Sequence, residues 1–286
     1  MKYTPDFIVI GAEKSGTTWL YNQLSRHPDI GLPPTKELHF FNSCNSYGKV
    51  LKNYEKGMDW YKRHFNSLKE PVLGEITPLY LSDSLAVKRI QRDLVDTKFI
   101  VVLRNPVDRA VSQYNMATNK GHKTLNLLRE IELESLLIQR GLYSQQLKEW
   151  FCSFDKRDFL ILKYEDLFTQ NSAERICDFL GVRFAEDVFR FEEKVYSNPI
   201  HRLPWLFHRL GEIAKFMHNS DLLYKMWCGL KRLGLVRIVK GKFIYSGLSR
   251  NPVDDMIIHS LREYYAEDIS NLEKMLNWDL SEWKKR

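Results

Sequence analysis

The sequence is poor in the features that mark several broad classes of protein. Its four cysteines, Cys44, Cys152, Cys177 and Cys228, stand far apart and form no CxxC pair. That argues against a zinc site or a disulfide framework and fits a reducing cytoplasm. Only 14 glycines and 10 prolines occur in 286 residues, which leaves no room for a collagenous or linker-like tract. No stretch approaches the ~18 consecutive apolar residues needed to span a bilayer, and the apolar run near the N-terminus is too short for the core of a secretory leader. There is no internal repeat and no low-complexity segment. A hydrophobic content of 44% is that of a folded globular chain. The expectation is a soluble cytoplasmic protein. A prior of ~150 residues per domain would admit two domains, but α/β domains often reach ~250 residues as one unit, so residues 1–286 are read as a single domain.

Positive charge is present and unevenly placed. The chain carries a formal +7, yet the ten Lys and Arg between Arg202 and Arg250 face only Glu212 and Asp221, so residues 197–250 alone carry +8. The same stretch is rich in aromatics, with Trp205, Phe207, Phe216, Tyr224 and Trp227 at helical spacing. Concentrated basic charge suggests an anionic partner, ligand or surface. Three readings stand: a lid that packs over the core, which ranks first; contact with an anionic acceptor; or peripheral membrane contact through a basic aromatic face. No nucleic-acid motif accompanies the charge.

Outside that segment, strand and helix patterns alternate. Asp6 to Ile10 reads as a strand buried on both faces, followed by Gly11-Ala12-Glu13-Lys14-Ser15-Gly16-Thr17-Thr18 and a helix stopped at His27-Pro28. Further strands are expected at Val72–Gly74, Lys98–Leu103 and Phe159–Leu162. Helices are expected at Ser84–Leu94, Asn105–Asn119, Gly141–Phe154, Ala173–Leu180 and Pro252–Leu276. Such alternation predicts an α/β, P-loop-like, doubly wound parallel sheet flanked by helices, with 197–250 as a basic helical lid.

The loop after the first strand is suited to an anion, because free N–H groups and the helix dipole converge there. It departs from the Walker pattern in a telling way. Gly11 and Gly16 are correctly spaced, but Thr17 stands where the lysine belongs, and the lysine comes earlier as Lys14. A magnesium-holding Asp after the strongest strand is also missing, and Arg104 takes that place. The histidines show no metal-ligand spacing, so no metal is expected. The bland readings are a solvated Lys14, a salt-bridged Arg104 and a solvated Glu37.

Three ordered segments carry a resemblance to a known family. GAEKSGTTWLYNQL resembles the phosphosulfate-binding loop of sulfotransferases that use 3′-phosphoadenosine 5′-phosphosulfate (PAPS), and VVLRNPVDRAVSQY resembles their 3′-phosphate motif. PTKELHFF is similar to a segment of the glycan (heparan sulfate)-type branch and its bacterial relatives; GEITPLYL, KYEDL and the tail from Leu261 to Trp283 add further likeness. The resemblance implies Glu37 as catalytic base; His39 beside it reads as a second base or substrate contact, with a core or capping histidine as the alternative. It implies Lys14, Ser15, Gly16, Thr17 and Thr18 around the sulfated 5′-phosphate, and Arg104 with Ser112 on the 3′-phosphate. Lys240, Gly241 and Lys242 are the candidates for the loop that closes over it.

Two departures accompany the likeness: Ile76 stands where the glycan-type pattern has a lysine, which shifts cationic work onto Lys14 and Lys36, and the late basic loop matches only loosely. The implied activity is in-line sulfuryl transfer from PAPS, leaving adenosine 3′,5′-bisphosphate (PAP), to a hydroxylated acceptor. A sugar hydroxyl is the first expectation and a lipid or polyketide hydroxyl the second. Positioning and charge stabilisation dominate such displacements. The rivals are a P-loop small-molecule or nucleotide kinase, and a binding module without turnover. Oligomeric state is left open.

Overall fold

The chain was analysed as a computed structural model, which describes residues 4–119, 126–192, 199–201, 245–248 and 253–285. It divides into two compact units, one of residues 1–113, 126–195 and 253–286, the other of 114–125 with 196–252.

The first unit is built on five parallel strands. These are β1 (Phe7–Gly11), β2 (Ile30–Gly31), β3 (Val72–Ile76), β4 (Lys98–Leu103) and β5 (Phe159–Lys163), in the order β2-β3-β1-β4-β5. This is the parallel α/β sheet that the alternating pattern predicts. From β1 the chain runs to β2 and β3 on one side, then crosses to β4 and β5 on the other. The order therefore reverses at β1, and in open parallel sheets ligands bind beyond the strand C-termini at such a reversal. In register, Val9 lies beside Ile76 of β3 and Ile100 of β4.

The central strands lack polar alternation because both faces are covered. On one face Val9, Ile76, Ile100 and Val102 pack with Trp19 and Leu20 of α1 (Thr17–Leu24) and with Ile176 and Cys177 of α8 (Gln170–Leu180). On the other, Phe99 meets Trp150 of α7 (Tyr143–Ser153) with ring centroids 5.1 Å apart and Phe154 at 4.7 Å. Full burial of each such side chain contributes about 1.5–3 kcal/mol.

The expected helices occur with shifted ends: α3 is Ser84–Asp93, α4 Pro106–Asn119 and the long C-terminal helix, α9, Asp255–Leu276. The short elements β2, α2 (Gly57–Lys62), α5 (Leu127–Glu132) and α6 (Leu136–Gln139) are too brief for periodicity to announce them. In the second unit, Pro199–His201 and Tyr245–Leu248 form an antiparallel pair, whereas the sequence pattern there reads as helical. Pro199 and Gly247 are poor helix formers. The rest of the basic segment, including Lys240, Gly241 and Lys242, lies outside the described residues.

Candidate active site

The loop leaving β1 reaches α1 through two residues in left-handed backbone, Lys14 (φ 70°) and Gly16 (φ 82°). Two features favour glycine at position 16. Its φ is one that side chains rarely adopt, and a Cβ there would meet Leu167 Cδ2 at 2.7 Å. As the residue capping α1, Gly16 supplies no side-chain acceptor, and the first turn of α1 contains no acid. Side-chain caps are absent from α2, α6 and α7 as well and present on other helices. Asp83 accepts from Leu85 and Ala86 at the start of α3, Thr169 caps α8 and Asp254 caps α9. The N-terminus of α1 is thus left open for an anion. Ser15 and Thr17 are buried, and Thr18 is exposed.

Arg104 follows β4, the neighbour of β1, and reaches this loop. Its guanidinium lies 4.7 Å from the ring centroid of Tyr164. Nη1 donates to the Lys14 carbonyl at 3.4 Å, and Nη2 is 3.8 Å from Asp108. Among the described residues its buried Nε has no hydrogen-bond partner. Tyr164 therefore holds a cation whose polar contacts are long, and the fork retains donors for an anionic ligand. Ser112 sits part-buried on α4.

The segment bearing Glu37 and His39 lies on the other side of β1. Glu37 N donates to the Ile76 carbonyl at 3.0 Å, which fixes Glu37 to the C-terminal end of β3. Lys36 Nζ donates to Glu37 Oε1, and His39 Nε2 is 3.5 Å from Oε2. Asn42 Nδ2 lies 3.3 Å from His39 Nδ1; a donor there leaves the ring proton on Nε2, facing the carboxylate. Burial pulls the His39 pKa below its usual value, although Glu37 and Glu13 draw it upward, so the ring is neutral at pH 7.

Glu37 (φ 63°) and His39 (φ 51°) also occupy left-handed backbone. Each such non-glycine residue costs about 1–3 kcal/mol and persists where its surroundings enforce it, often at functional sites. Half of the six non-glycine residues with positive φ in the described structure are Lys14, Glu37 and His39. Ile76 is buried in the sheet core, so its side chain offers nothing to this site, and Lys36 is the cation on Glu37.

A buried carboxylate beneath this segment escaped the sequence reading. Glu75 is 1% exposed. It accepts from Thr77 Oγ1 and Tyr80 OH at 2.7 Å and from Tyr61 OH at 2.5 Å. Burial raises its pKa, against the pull of the three hydroxyls, and the Tyr61 and Tyr80 phenols are pushed far up. Tyr80 OH also accepts from Phe40 N at 3.0 Å and Phe41 N at 3.4 Å. Glu75 thereby fixes the hydroxyl that holds the backbone immediately after His39. The signal available in the sequence was a Glu inside an apolar strand, a placement that needs partners.

Comparison with known proteins is consistent with this geometry. Residues 4–204 match a family model described as a sulfotransferase domain. Human heparan sulfate glucosamine 3-O-sulfotransferase 6 is 33% identical over 190 residues, covering 63% of this chain and 53% of that protein. The Dictyostelium discoideum membrane-associated sulfotransferase kil1 is 38% identical over 117 residues, covering 40% of this chain and 23% of its relative. The chain thus spans about half or less of these relatives' length. A sulfotransferase structure from Alicyclobacillus acidocaldarius superposes with a TM-score of 0.66 at 23% identity, covering 98% of this chain and 99% of that one; it supports the fold.

Proposed function

Since the chain belongs to the sulfotransferase domain family, we propose that it transfers the sulfuryl group of PAPS to a hydroxyl acceptor. The observation that carries this reading is the shared left-handed backbone of Lys14, Glu37 and His39, on loops beyond β1 and β3. The residues fit the donor: an uncapped α1 and a guanidinium whose buried Nε has no partner among the described residues. The open turn of α1, with Thr17 and Thr18, holds the 5′-phosphate, and Arg104 with Ser112 takes the 3′-phosphate. Glu37 receives the acceptor's proton as the new O–S bond forms. Lys14 neutralises the phosphate oxygen released when the old S–O bond breaks. His39 and Lys36 hold the two carboxylate oxygens of Glu37 in place.

The acceptor we favour is a sugar hydroxyl, on the strength of the likeness to proteins named heparan sulfate glucosamine 3-O-sulfotransferases. A cytoplasmic setting agrees with the unpaired Cys44, Cys152 and Cys177. The test is PAP release from PAPS across a panel of oligosaccharide, lipid and phenolic acceptors, without added metal. Acceptor-dependent release that Glu37→Gln abolishes is the expected result. Release unchanged in that variant would remove Glu37 as the base, and phosphate transfer from ATP would replace the reading altogether.

A further inference from the structure

One buried guanidinium joins the anion loop to a turn behind the Glu37–His39 segment, and the reaction as described gives it no part. Arg140 follows α6, and its side chain is 5% exposed. Nη1 is 3.2 Å from Glu13 Oε2 and donates to the Ser46 carbonyl at 2.8 Å; Nη2 donates to the Asn45 carbonyl at 3.1 Å. Ser46 Oγ in turn donates to Glu13 Oε1 at 2.5 Å. Glu13 immediately precedes Lys14 in the anion loop, and its charge is felt at His39. The 45–46 turn leads back to the other half, because Asn42, which contacts His39, also donates to the Cys44 carbonyl at 2.7 Å.

A carboxylate at 13% exposure in a loop that receives phosphate is an electrostatic liability. Nothing about anion binding asks for an acid there, and Arg140 is its charge partner. Burial lowers the Arg140 pKa while Glu13 draws it up, as for a pair sustained by mutual charge. We propose that Arg140 is a positioning residue of the transfer reaction: it neutralises Glu13 so that the loop can take an anion, and ties that loop to the turn behind the Glu37–His39 segment.

This inference rests on the PAPS reading, and the experiment separates the two. PAP affinity is measured by calorimetry for the wild type, Arg140→Met, Glu13→Gln and the double variant, at low salt and at about 1 M salt, where the screening length falls to ~3 Å. A wild type that does not bind PAP ends the donor reading and this inference with it. With binding established, Arg140→Met should weaken it by about ten-fold or more at low salt, since an unpaired carboxylate then faces the phosphates. High salt should shrink that loss. The double variant should recover to within about three-fold of wild type, because no charge remains to repel the ligand.

A double variant as weak as Arg140→Met would overturn the proposal, since a purely structural role predicts no rescue. Should Arg140→Met fail to fold, Arg140→Lys keeps the charge and loses the fork. It should hold PAP affinity within about three-fold while kcat falls. A Lys variant with wild-type kcat, or with ten-fold weaker binding, would equally overturn it.

Discussion

The two sides of β1 solve different problems. On the β4 side, polar groups are left with capacity: α1 starts without a cap, and Arg104 makes long contacts while its Nε has no partner among the described residues. On the β3 side, the polar groups around the carboxylate are engaged with one another, although Thr35 Oγ1 and Asn42 Oδ1 have no hydrogen-bond partner among the described residues. Glu37 carries Lys36 and His39, His39 carries Asn42, and the backbone beyond them hangs on Tyr80 and the buried Glu75. Open donors suit the binding of an anion whose position they then define. A base must instead be aimed before the substrate arrives, and an occupied hydrogen-bond shell does that. Under the proposed function the β3 side serves turnover, while the β4 side serves affinity and, through Lys14, the departing phosphate.

Substitutions can break that division. The largest effect should come from Glu37→Gln: kcat falls by ~10²–10⁴-fold, the usual worth of general-base help, while PAP affinity stays at the wild-type value. Steady-state kinetics beside a PAP titration checks both halves, and loss of affinity would merge the two sides. Next is Arg104→Ala. Charged hydrogen bonds are worth about 1.5–3 kcal/mol, so PAP should bind ~10–100-fold more weakly, while the analogue lacking the 3′-phosphate is little affected. Equal losses for both ligands would deny Arg104 that phosphate.

Two subtler variants sharpen the β3 side. Tyr80→Phe removes the acceptor for Phe40 and Phe41 N–H, and unsatisfied buried groups cost about 1–3 kcal/mol. The melting temperature should drop and kcat should fall, with PAP affinity retained. A fall in affinity matching that in kcat would show that the Tyr80 anchor serves both sides. The smallest effect is in pH dependence. The folded pKa of Glu75 is raised by burial, so its contribution to stability is fully present below the ordinary carboxylate value and is lost as pH rises through the folded value. Glu75→Gln, which cannot ionise, should therefore gain stability relative to wild type as pH rises over that window. Thermal melts of both proteins from about pH 4 to 8 read the difference, and parallel curves would mean that the Glu75 carboxyl has the same pKa in the folded and the unfolded chain.

What could be read from the sequence follows the same line. The β1 loop, α1 and Arg104 after β4 depend on a strand, a glycine and a helix start that are contiguous in the chain, so spacing exposes them. The sheet was legible because strands buried on both faces lose their alternation, as Phe7–Gly11 and Lys98–Leu103 do. Glu37 and His39 were singled out as candidates through the motif around them, but the contacts that fix them were not. Tyr61 lies on α2 and reaches Glu75 on β3 only in the folded chain, and Arg140 meets Glu13 across 127 residues of sequence. Such partnerships leave no periodicity. At most they leave an anomaly, such as an acid inside an apolar strand or an acid in a loop made for anions.

The most direct test of the central claim is a thermal-shift titration with PAP in the absence of metal, run beside ATP with magnesium. At a hundred times its dissociation constant a ligand stabilises the fold by about 2.7 kcal/mol. The account predicts that shift for PAP in the wild type and, undiminished, in Glu37→Gln, with a much smaller one in Arg104→Ala. Stabilisation by ATP with magnesium alone would contradict it.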